Sequence, residues 1–171
     1  MFLFMKEIKF NEAAAITSPN PLVLVCTEKE NGCLNIAPVS FFMYTSVNPP
    51  MLAFAMGKAS NSGENIRRTG KAIISTAGDS LKEAVMTYGS TSGRKIDKMT
   101  HTPIVLQSVE GSDIQFPEDT KLAFVVSLIK TIEAGDHYLY LCDIDKIVAD
   151  ETKEVLFAWN GYAKLACAQQ K

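Results

Sequence analysis

The sequence predicts a mainly β fold, a mostly antiparallel barrel or sandwich with a few flanking helices. Apolar runs of strand length recur along the chain, whereas only two or three short segments have helical spacing. The connections between the apolar runs are too short for repeated βαβ crossovers, which argues against a parallel sheet. No GxGxxG motif stands between a strand and a helix, so a Rossmann dinucleotide site is not expected.

The first half of the chain predicts four strands separated by turns. Asn31-Gly32 has the composition of a hairpin turn, and Pro49-Pro50 ends the segment before the third strand. The predicted strands are residues 22–27, 33–39, 51–56 and 71–76. Ser62 is the expected cap of a short helix over residues 64–68, and Gly70 is its expected stop.

The second half predicts one amphipathic helix, a polar loop and a long hairpin. Residues 80–88 have apolar side chains at helical spacing, which is typical of a helix that packs on a sheet. Residues 89–102 are polar and predict a loop with at most one helical turn at 95–99; long ordered loops are often functional. Residues 121–132 and 137–148 predict two antiparallel strands joined by the Ala134-Gly135-Asp136 turn.

Length and composition favour a single domain over residues 1–171. Hydrophobic residues make up 47% of the chain and charged residues 21%, close to the globular average. A monomer of this size buries roughly 70% of its unfolded surface, so neither disulfides nor a structural metal is needed for stability. The apolar opening, residues 1–5, is too short for a signal-peptide core or a membrane span. We expect a cytoplasmic protein without a membrane partner.

Charge and cysteine usage argue against two further classes. Lys and Arg total 17 against 19 for Asp and Glu, which gives a net charge of −2 and no basic excess for a nucleic acid. The four cysteines form no CxxC pair and no cluster with histidine, so no metal site is expected. Cys26 and Cys142 lie inside apolar runs, which predicts small buried hydrophobic side chains.

Three segments could carry chemistry, and each also has a plain structural interpretation. The loop 57–63 is small and polar and opens a helix, whose free N–H groups favour a phosphate; an ordinary strand-to-helix loop has the same composition. Residues 35–54 mix aromatic and polar side chains, which is what a binding site for a planar ligand requires. A strand with one face exposed to water has the same mixture. His137 follows a tight turn and could orient a substrate, although His137 and His101 could equally be surface residues. No catalytic triad can be assembled from spacing.

Four segments in order resemble the flavin reductase-like family of FMN-binding split barrels, which includes flavoredoxins and NAD(P)H:flavin oxidoreductases. They are PLVLVCTEKENGCLNIAPVSFFMYTSVNPPMLAF, SGENIRRTGKAIIS, GRKIDKMTHTPI and AGDHYLYLCDI, within residues 21–162. The resemblance implies a six-stranded antiparallel split β-barrel with a few flanking helices. It also implies a homodimer that binds FMN near the subunit interface.

The resemblance assigns site residues. The implied cofactor-binding residues are Asn35, Ala37, Ser40, Phe41, Ser60, Ser62, Lys98 and Tyr162, with His137 as the catalytic candidate. Ser60 and Ser62 fall in the phosphate-binding loop, and Lys98 matches a basic residue that pairs with the FMN phosphate. Lys58 and Arg67 are weaker candidates for the phosphate. Tyr162 and Trp159 match an aromatic flavin contact only loosely. His137 would position the cofactors, since hydride passes directly between them.

The implied function is a flavoprotein oxidoreductase, most simply a flavin reductase that uses NADH or NADPH. One alternative is an electron carrier of the flavoredoxin type, reduced by a protein partner and not by a nicotinamide nucleotide. Another is a split barrel that binds haem or pyridoxal phosphate, or that serves as a dimeric binding module.

Overall fold

A computed structural model describes residues 5–168, and antiparallel strands dominate it. The strands in this range are β1 Val23–Glu28, β2 Leu34–Val39, β3 Phe42–Ser46, β4 Met51–Gly57, β5 Lys71–Thr76, β6 Leu106–Gln107, β7 Phe116–Pro117, β8 Leu122–Ala134, β9 His137–Ala149, β10 Leu156–Trp159 and β11 Lys164–Cys167. The helices are α1 Phe10–Ile16, α2 Asn61–Thr69, α3 Lys82–Ser90 and α4 Lys98–His101, with a 3-10 turn at Asp79–Leu81. The apolar opening of the chain lies, apart from Met5, outside the described residues.

Seven strands form one antiparallel sheet in the order β2-β1-β5-β8-β9-β4-β3, and the mainly β class with flanking helices is confirmed. The implied count of six strands is wrong by one. All six strands expected from apolar runs form, and β3 is the seventh. It pairs with β4 from Phe42 opposite Phe54 to Ser46 opposite Met51. Its apolar run, Phe42–Tyr44, is short, and its Met43, Tyr44 and Thr45 side chains are exposed, so it differs from the other six in burial.

The sheet buries side chains on both of its faces, and this explains the unbroken apolar run in β1. Val23 and Val25 point into the barrel interior with Phe54, whereas Leu24 and Cys26 pack on the opposite side under α3. A strand covered on both faces loses the polar alternation of a half-exposed strand. The Cys26 and Cys142 side chains are both fully buried, as predicted, and burial raises the pKa of each thiol to about 12.

Helix boundaries differ from the sequence expectations in one instructive place. Helix α2 begins at Asn61 and Ser60 is its N-cap, because the Ser60 Oγ accepts a hydrogen bond from the Gly63 N–H at 3.2 Å. The prediction of Ser62 as cap is therefore wrong; Ser62 is buried within the first turn. The predicted stop at Gly70 is confirmed, since this residue has φ 73°, a conformation that glycine adopts without strain.

Within residues 5–168, no helix is both long and apolar enough to span a bilayer. Away from the sheet interior, Asp79, Glu154 and Cys167 come within mutual metal-ligand distance on the surface. An Asp79 carboxylate oxygen lies 2.6 Å from the Lys82 ammonium, so a salt bridge accounts for that carboxylate.

Candidate functional site

One cavity of about 460 Å³ opens where β2 and β4 end and β9 begins, and its volume suits a small molecule. Its walls come from β2 and the turn after it, the β4–α2 connection, the α3–α4 connection and the first residue of β9. All nine site residues named from the sequence line this cavity: Asn35, Ala37, Ser40, Phe41, Ser60, Ser62, Lys98, His137 and Tyr162. Residues separated by more than 120 positions in the sequence thus face one space.

The first turn of α2 supplies hydroxyl groups to one wall. Ser60 caps the helix, and Ser62 follows in the first turn with only 1% of its surface exposed. The Ser62 Oγ accepts a hydrogen bond of 2.6 Å from the Asn35 amide nitrogen, which joins α2 to β2. Backbone N–H groups at a helix start have no intrahelical partner, so this wall favours an anionic group.

Two buried amide oxygens and a glycine form a cradle beside this wall. The Oδ1 atoms of Asn35 and Asn61 have no hydrogen-bond partner within residues 5–168. A Cβ placed on Gly93 would lie 1.9 Å from the Asn35 Oδ1 and 2.9 Å from the Asn61 Oδ1. Buried polar atoms normally have partners, so the cradle fits a ligand that supplies them. The cavity therefore has the donor and acceptor set of a polar binding site.

Lys98 brings a buried cation to the same cavity. Only 4% of its surface is exposed, and its Nζ donates to the Tyr88 carbonyl at 2.6 Å and to the Ile36 carbonyl at 3.0 Å. Burial lowers the pKa of Lys98 to about 8, and repulsion from Lys29 adds to this effect. An ammonium has three N–H donors, so one remains for a ligand after the two carbonyls are served.

His137 and Phe41 form a more apolar part of the wall. Their ring centroids are 5.5 Å apart with a tilt of 49°. The His137 Nδ1 lies 2.7 Å from a carboxylate oxygen of Asp136, and this contact lowers the pKa of Asp136. A proton on Nδ1 that is donated to this carboxylate fixes the orientation of the imidazole ring. The Nε2 atom then takes no part in the hydrogen bond with Asp136.

Tyr162 closes the cavity from the C-terminal hairpin and has an uncommon backbone conformation. Asn160, Gly161 and Tyr162 have φ values of 51°, 62° and 73°, so three successive residues are left-handed and two of them are not glycine. Burial raises the pKa of the Tyr162 hydroxyl, and a hydrogen bond with Ser40 opposes that rise. Backbone strain of this kind persists where the surrounding structure fixes a functional side chain.

Three weaker sequence candidates do not line the cavity. Lys58 pairs with Glu133 on the surface. Arg67 hydrogen-bonds to the Tyr140 hydroxyl and stacks 4.9 Å over the Tyr138 ring. The Trp159 Nε1 donates to the Ala166 carbonyl across the β10–β11 hairpin. Each is satisfied by a structural contact.

Asn61, Tyr88 and Gly93 are among the lining residues that sequence reasoning did not name as site residues. Tyr88 was interpreted only as an apolar helix position, and its hydroxyl in fact donates to the carbonyl of Thr102, the residue that follows α4. Asn61 and Gly93 both lay in segments recognised as polar loops. Their contact with Asn35 depends on chain folding, so no local signal could single them out.

The family model of the flavin reductase like domain matches residues 16–166, almost the whole chain. The chain belongs to the flavin reductase-like family. Among curated relatives, a flavin reductase of Pseudomonas putida is 26% identical over 149 residues, which cover 86% of this chain and 84% of the relative. The protein is accordingly a flavin-related oxidoreductase of this family.

Solved structures with the same fold extend over nearly the whole chain. Flavoredoxin of Desulfovibrio vulgaris (Miyazaki F) superposes with a TM-score of 0.80 at 20% identity, covering 91% of this chain and 90% of that one. An FMN-binding protein from Thermus thermophilus with bound p-hydroxybenzaldehyde superposes with a TM-score of 0.84 at 16% identity, covering 100% and 98%. These similarities establish the split-barrel fold for this family member.

Proposed function

We propose that this flavin reductase-like protein binds FMN in the cavity and reduces it with NADH or NADPH. The observation that carries the proposal is the convergence of the nine residues that the sequence resemblance implies on one cavity of suitable size. The bound flavin would accept a hydride from the nicotinamide and later pass two electrons to an acceptor. The protein's own residues bind and orient the two partners.

The polar and apolar parts of the cavity suit the two ends of FMN. Ser60, Ser62 and the buried Lys98 ammonium offer hydroxyls and a positive charge to the phosphate monoester. Phe41 and His137 offer flat surfaces to the ring system, as a planar aromatic ligand requires. His137 holds its ring orientation through Asp136 and would position the nicotinamide or the flavin by a hydrogen bond.

A second candidate function is an electron carrier that holds FMN and is reduced by a protein. The 0.80 TM-score with a flavoredoxin is the observation that favours it. In this case Phe41 and His137, both partly exposed, would lie at the contact with the redox partner. The carrier and the reductase share the cofactor site and differ in the electron donor.

Flavin binding is tested by titrating FMN into the protein and following the quenching of flavin fluorescence. Saturation at one FMN per chain supports the proposal, whereas the absence of binding overturns it for reductase and carrier alike. An absorbance spectrum of the purified protein separates flavin from haem or pyridoxal phosphate, since each has its own bands.

Stopped-flow mixing then separates the two functions. Rapid bleaching of the bound flavin by NADH or NADPH supports the reductase. Flavin that is bleached by a reduced redox protein and not by either nicotinamide nucleotide supports the carrier. The ratio of the rates with NADH and NADPH gives the nucleotide preference.

We also propose that two copies of the chain form a homodimer through β3. This strand is at the edge of the sheet, and its Met43 and Tyr44 side chains are more than half exposed, with Val47 beside them 93% exposed. An exposed apolar edge strand is unfavourable in a monomer and is commonly covered by a partner.

A cytoplasmic location is a further prediction, which cell fractionation tests.

A further inference from the structure

A second groove, the charged groove, adjoins the cavity and has no part in the site described so far. It runs along the β1–β2 turn, α2 and the α3–α4 connection, and its volume is about 740 Å³. Asn61 and Gly93 line both the charged groove and the cavity, so one molecule can extend from one space into the other. Its size is in the range of small-molecule sites.

Basic side chains dominate the charged groove. They are Lys29, Arg68, Arg94 and Lys95. The Arg94 guanidinium pairs with the Glu64 carboxylate at 2.8 Å, and Arg68 donates to the Glu28 carbonyl at 2.6 Å. Within residues 5–168, neither Lys29 nor Lys95 forms a salt bridge. Two ammonium groups of the groove are therefore available to an anion that enters it.

The acidic side chains of the groove do not cancel this charge. They are Glu30, Glu64 and Asp97, against four basic residues. Glu64 is the partner of Arg94, and an Asp97 carboxylate oxygen accepts from the Met99 N–H at 3.1 Å as the cap of α4. The charge of Lys29 also repels the Lys98 ammonium and helps to lower the pKa of Lys98. The positive potential of the groove thus extends to the cavity.

The position of the charged groove selects its ligand. On the proposed function, FMN fills the cavity and its phosphate is held by the first turn of α2 and by Lys98, so the groove is left to the second reactant. NADH and NADPH carry the reactive nicotinamide at one end and an adenosine with its phosphates at the other. Phosphate oxygens are the usual partners of lysine and arginine side chains.

We propose that the charged groove binds the adenosine phosphates of NADH or NADPH, with Lys29 and Lys95 as their ion-pair partners, while the nicotinamide lies in the cavity. The inference rests on the proposed function and adds to it where the non-reacting end of the nucleotide binds. Neither lysine was named as a site residue from the sequence. Contacts to a remote part of the substrate supply binding energy that holds the reacting ring in place.

The direct test is a calorimetric titration of the FMN-loaded protein with ADP, which has the adenosine and phosphates and no nicotinamide. ADP should bind without releasing FMN. Lys29→Gln combined with Lys95→Gln should weaken ADP binding about tenfold, as the loss of two exposed ion pairs predicts. Lys71→Gln combined with Lys130→Gln removes the same charge at exposed positions outside both spaces and should leave ADP binding unchanged.

A charge-preserving variant separates the loss of charge from a change in folding. Lys29→Arg combined with Lys95→Arg keeps two cations in the groove, so ADP affinity should stay within about twofold. An equal loss of ADP affinity in the arginine and glutamine double variants would show that the positive charges are not the contact, and the inference would be overturned.

Steady-state kinetics test the same contact in the reaction. In the glutamine double variant, the KM for NADH and NADPH should rise about tenfold at unchanged kcat, because the phosphates are held equally before and during hydride transfer. The KM for reduced nicotinamide mononucleotide, which lacks the adenosine end, should not change. A KM that rises by the same factor for the mononucleotide would contradict the assignment of the groove.

The other outcomes separate this inference from the proposed function. FMN-loaded protein that does not bind ADP, or an equal loss of ADP affinity in the Lys71 and Lys130 control, refutes the groove assignment and leaves the flavin site in place. Release of FMN by ADP would place ADP in the cavity and also refutes it. If no FMN binds to the unmodified protein, the proposed function fails and this inference fails with it.

Discussion

Lys98 shows how a single residue combines a structural and a ligand-binding role. Its ammonium is held by two backbone carbonyls, from β2 and from the end of α3, so it ties the loop after α3 to the sheet. Burying a cation without a full counter-charge is costly, and the lowered pKa of about 8 reflects that cost. An anionic ligand in the cavity would restore the preference for the charged form.

This pKa predicts how FMN affinity depends on pH. Below pH 8 the Lys98 ammonium is already protonated in the free protein. Above pH 8 a proton must be taken up to pair with the phosphate, so FMN affinity should fall by up to about tenfold per pH unit. Fluorescence titrations between pH 7 and 9.5 measure this. Riboflavin, which has no phosphate, is the control, and a parallel fall for both flavins would contradict the assignment of Lys98.

A second prediction at the scale of the residue concerns Asp136, which contacts His137 and does not line the cavity. Asp136→Asn should release the His137 ring while leaving FMN affinity unchanged. We expect the rate of flavin reduction by the nicotinamide nucleotide to fall a few-fold. Glu133→Gln, which breaks the neighbouring exposed pair with Lys58, is the control. Stopped-flow reduction rates and FMN titrations on both variants test this prediction. Equal reduction rates in Asp136→Asn and the unmodified protein would exclude a positioning role for Asp136.

At the scale of the element, helix α2 depends on close packing against β9. A Cβ at Gly63 would lie 2.3 Å from the Tyr140 hydroxyl oxygen and 3.2 Å from its Cζ. Tyr140 cannot move aside, because it is fully buried and its ring stacks on Phe54 at 5.3 Å. The glycine therefore sets the distance between helix and sheet, and with it the position of the first turn of α2 at the cavity.

Gly63→Ala should consequently destabilise the protein. Overpacking costs about 1–3 kcal/mol, which exceeds the gain of up to about 1 kcal/mol from the higher helix propensity of alanine. Urea unfolding measures the difference. The double variant Gly63→Ala with Tyr140→Phe removes the clashing hydroxyl and should recover part of the loss. Gly57→Ala, where no atom lies within 4 Å of the added Cβ, should stay within about 0.5 kcal/mol. A stable Gly63→Ala protein would contradict this packing.

Element prediction succeeded where burial leaves a local pattern. The run through β1 is apolar because both of its faces are covered, the runs of β8 and β9 carry their buried apolar residues in only part of each strand, and β5 occupies the predicted residues 71–76. Strand β3 was missed because its exposed aromatic and polar residues look like a ligand-binding segment. The cap of α2 was misplaced by two residues, since Ser60 and Ser62 are chemically equivalent in the sequence and only the backbone direction distinguishes them.

At the scale of the whole molecule, the candidate site results from topology. The pairing of β9 with β4 places His137 opposite Gly57. Asn35 lies on β2, at the other edge of the sheet, and contacts Ser62 in the first turn of α2. The family resemblance could name these residues, because motifs keep their order along the chain. It could not show the cradle of Asn35, Asn61 and Gly93, since that contact joins three segments whose spacing in the sequence carries no periodic signal.

The largest structural prediction concerns assembly through β3. We expect the protein to have twice its 18.7 kDa chain mass in solution, because pairing two copies would cover Met43 and the adjacent Val47. Met43→Lys with Val47→Asp places charges on this edge and should yield monomers, as natural edge strands do when they avoid pairing. Val105→Lys changes a side chain that is 65% exposed outside β3 and should leave the mass unchanged. Light scattering coupled to size exclusion gives the masses, and FMN titration of the monomeric variant shows whether the partner contributes to the site. A monomeric unmodified protein at micromolar concentration would refute assembly through this strand.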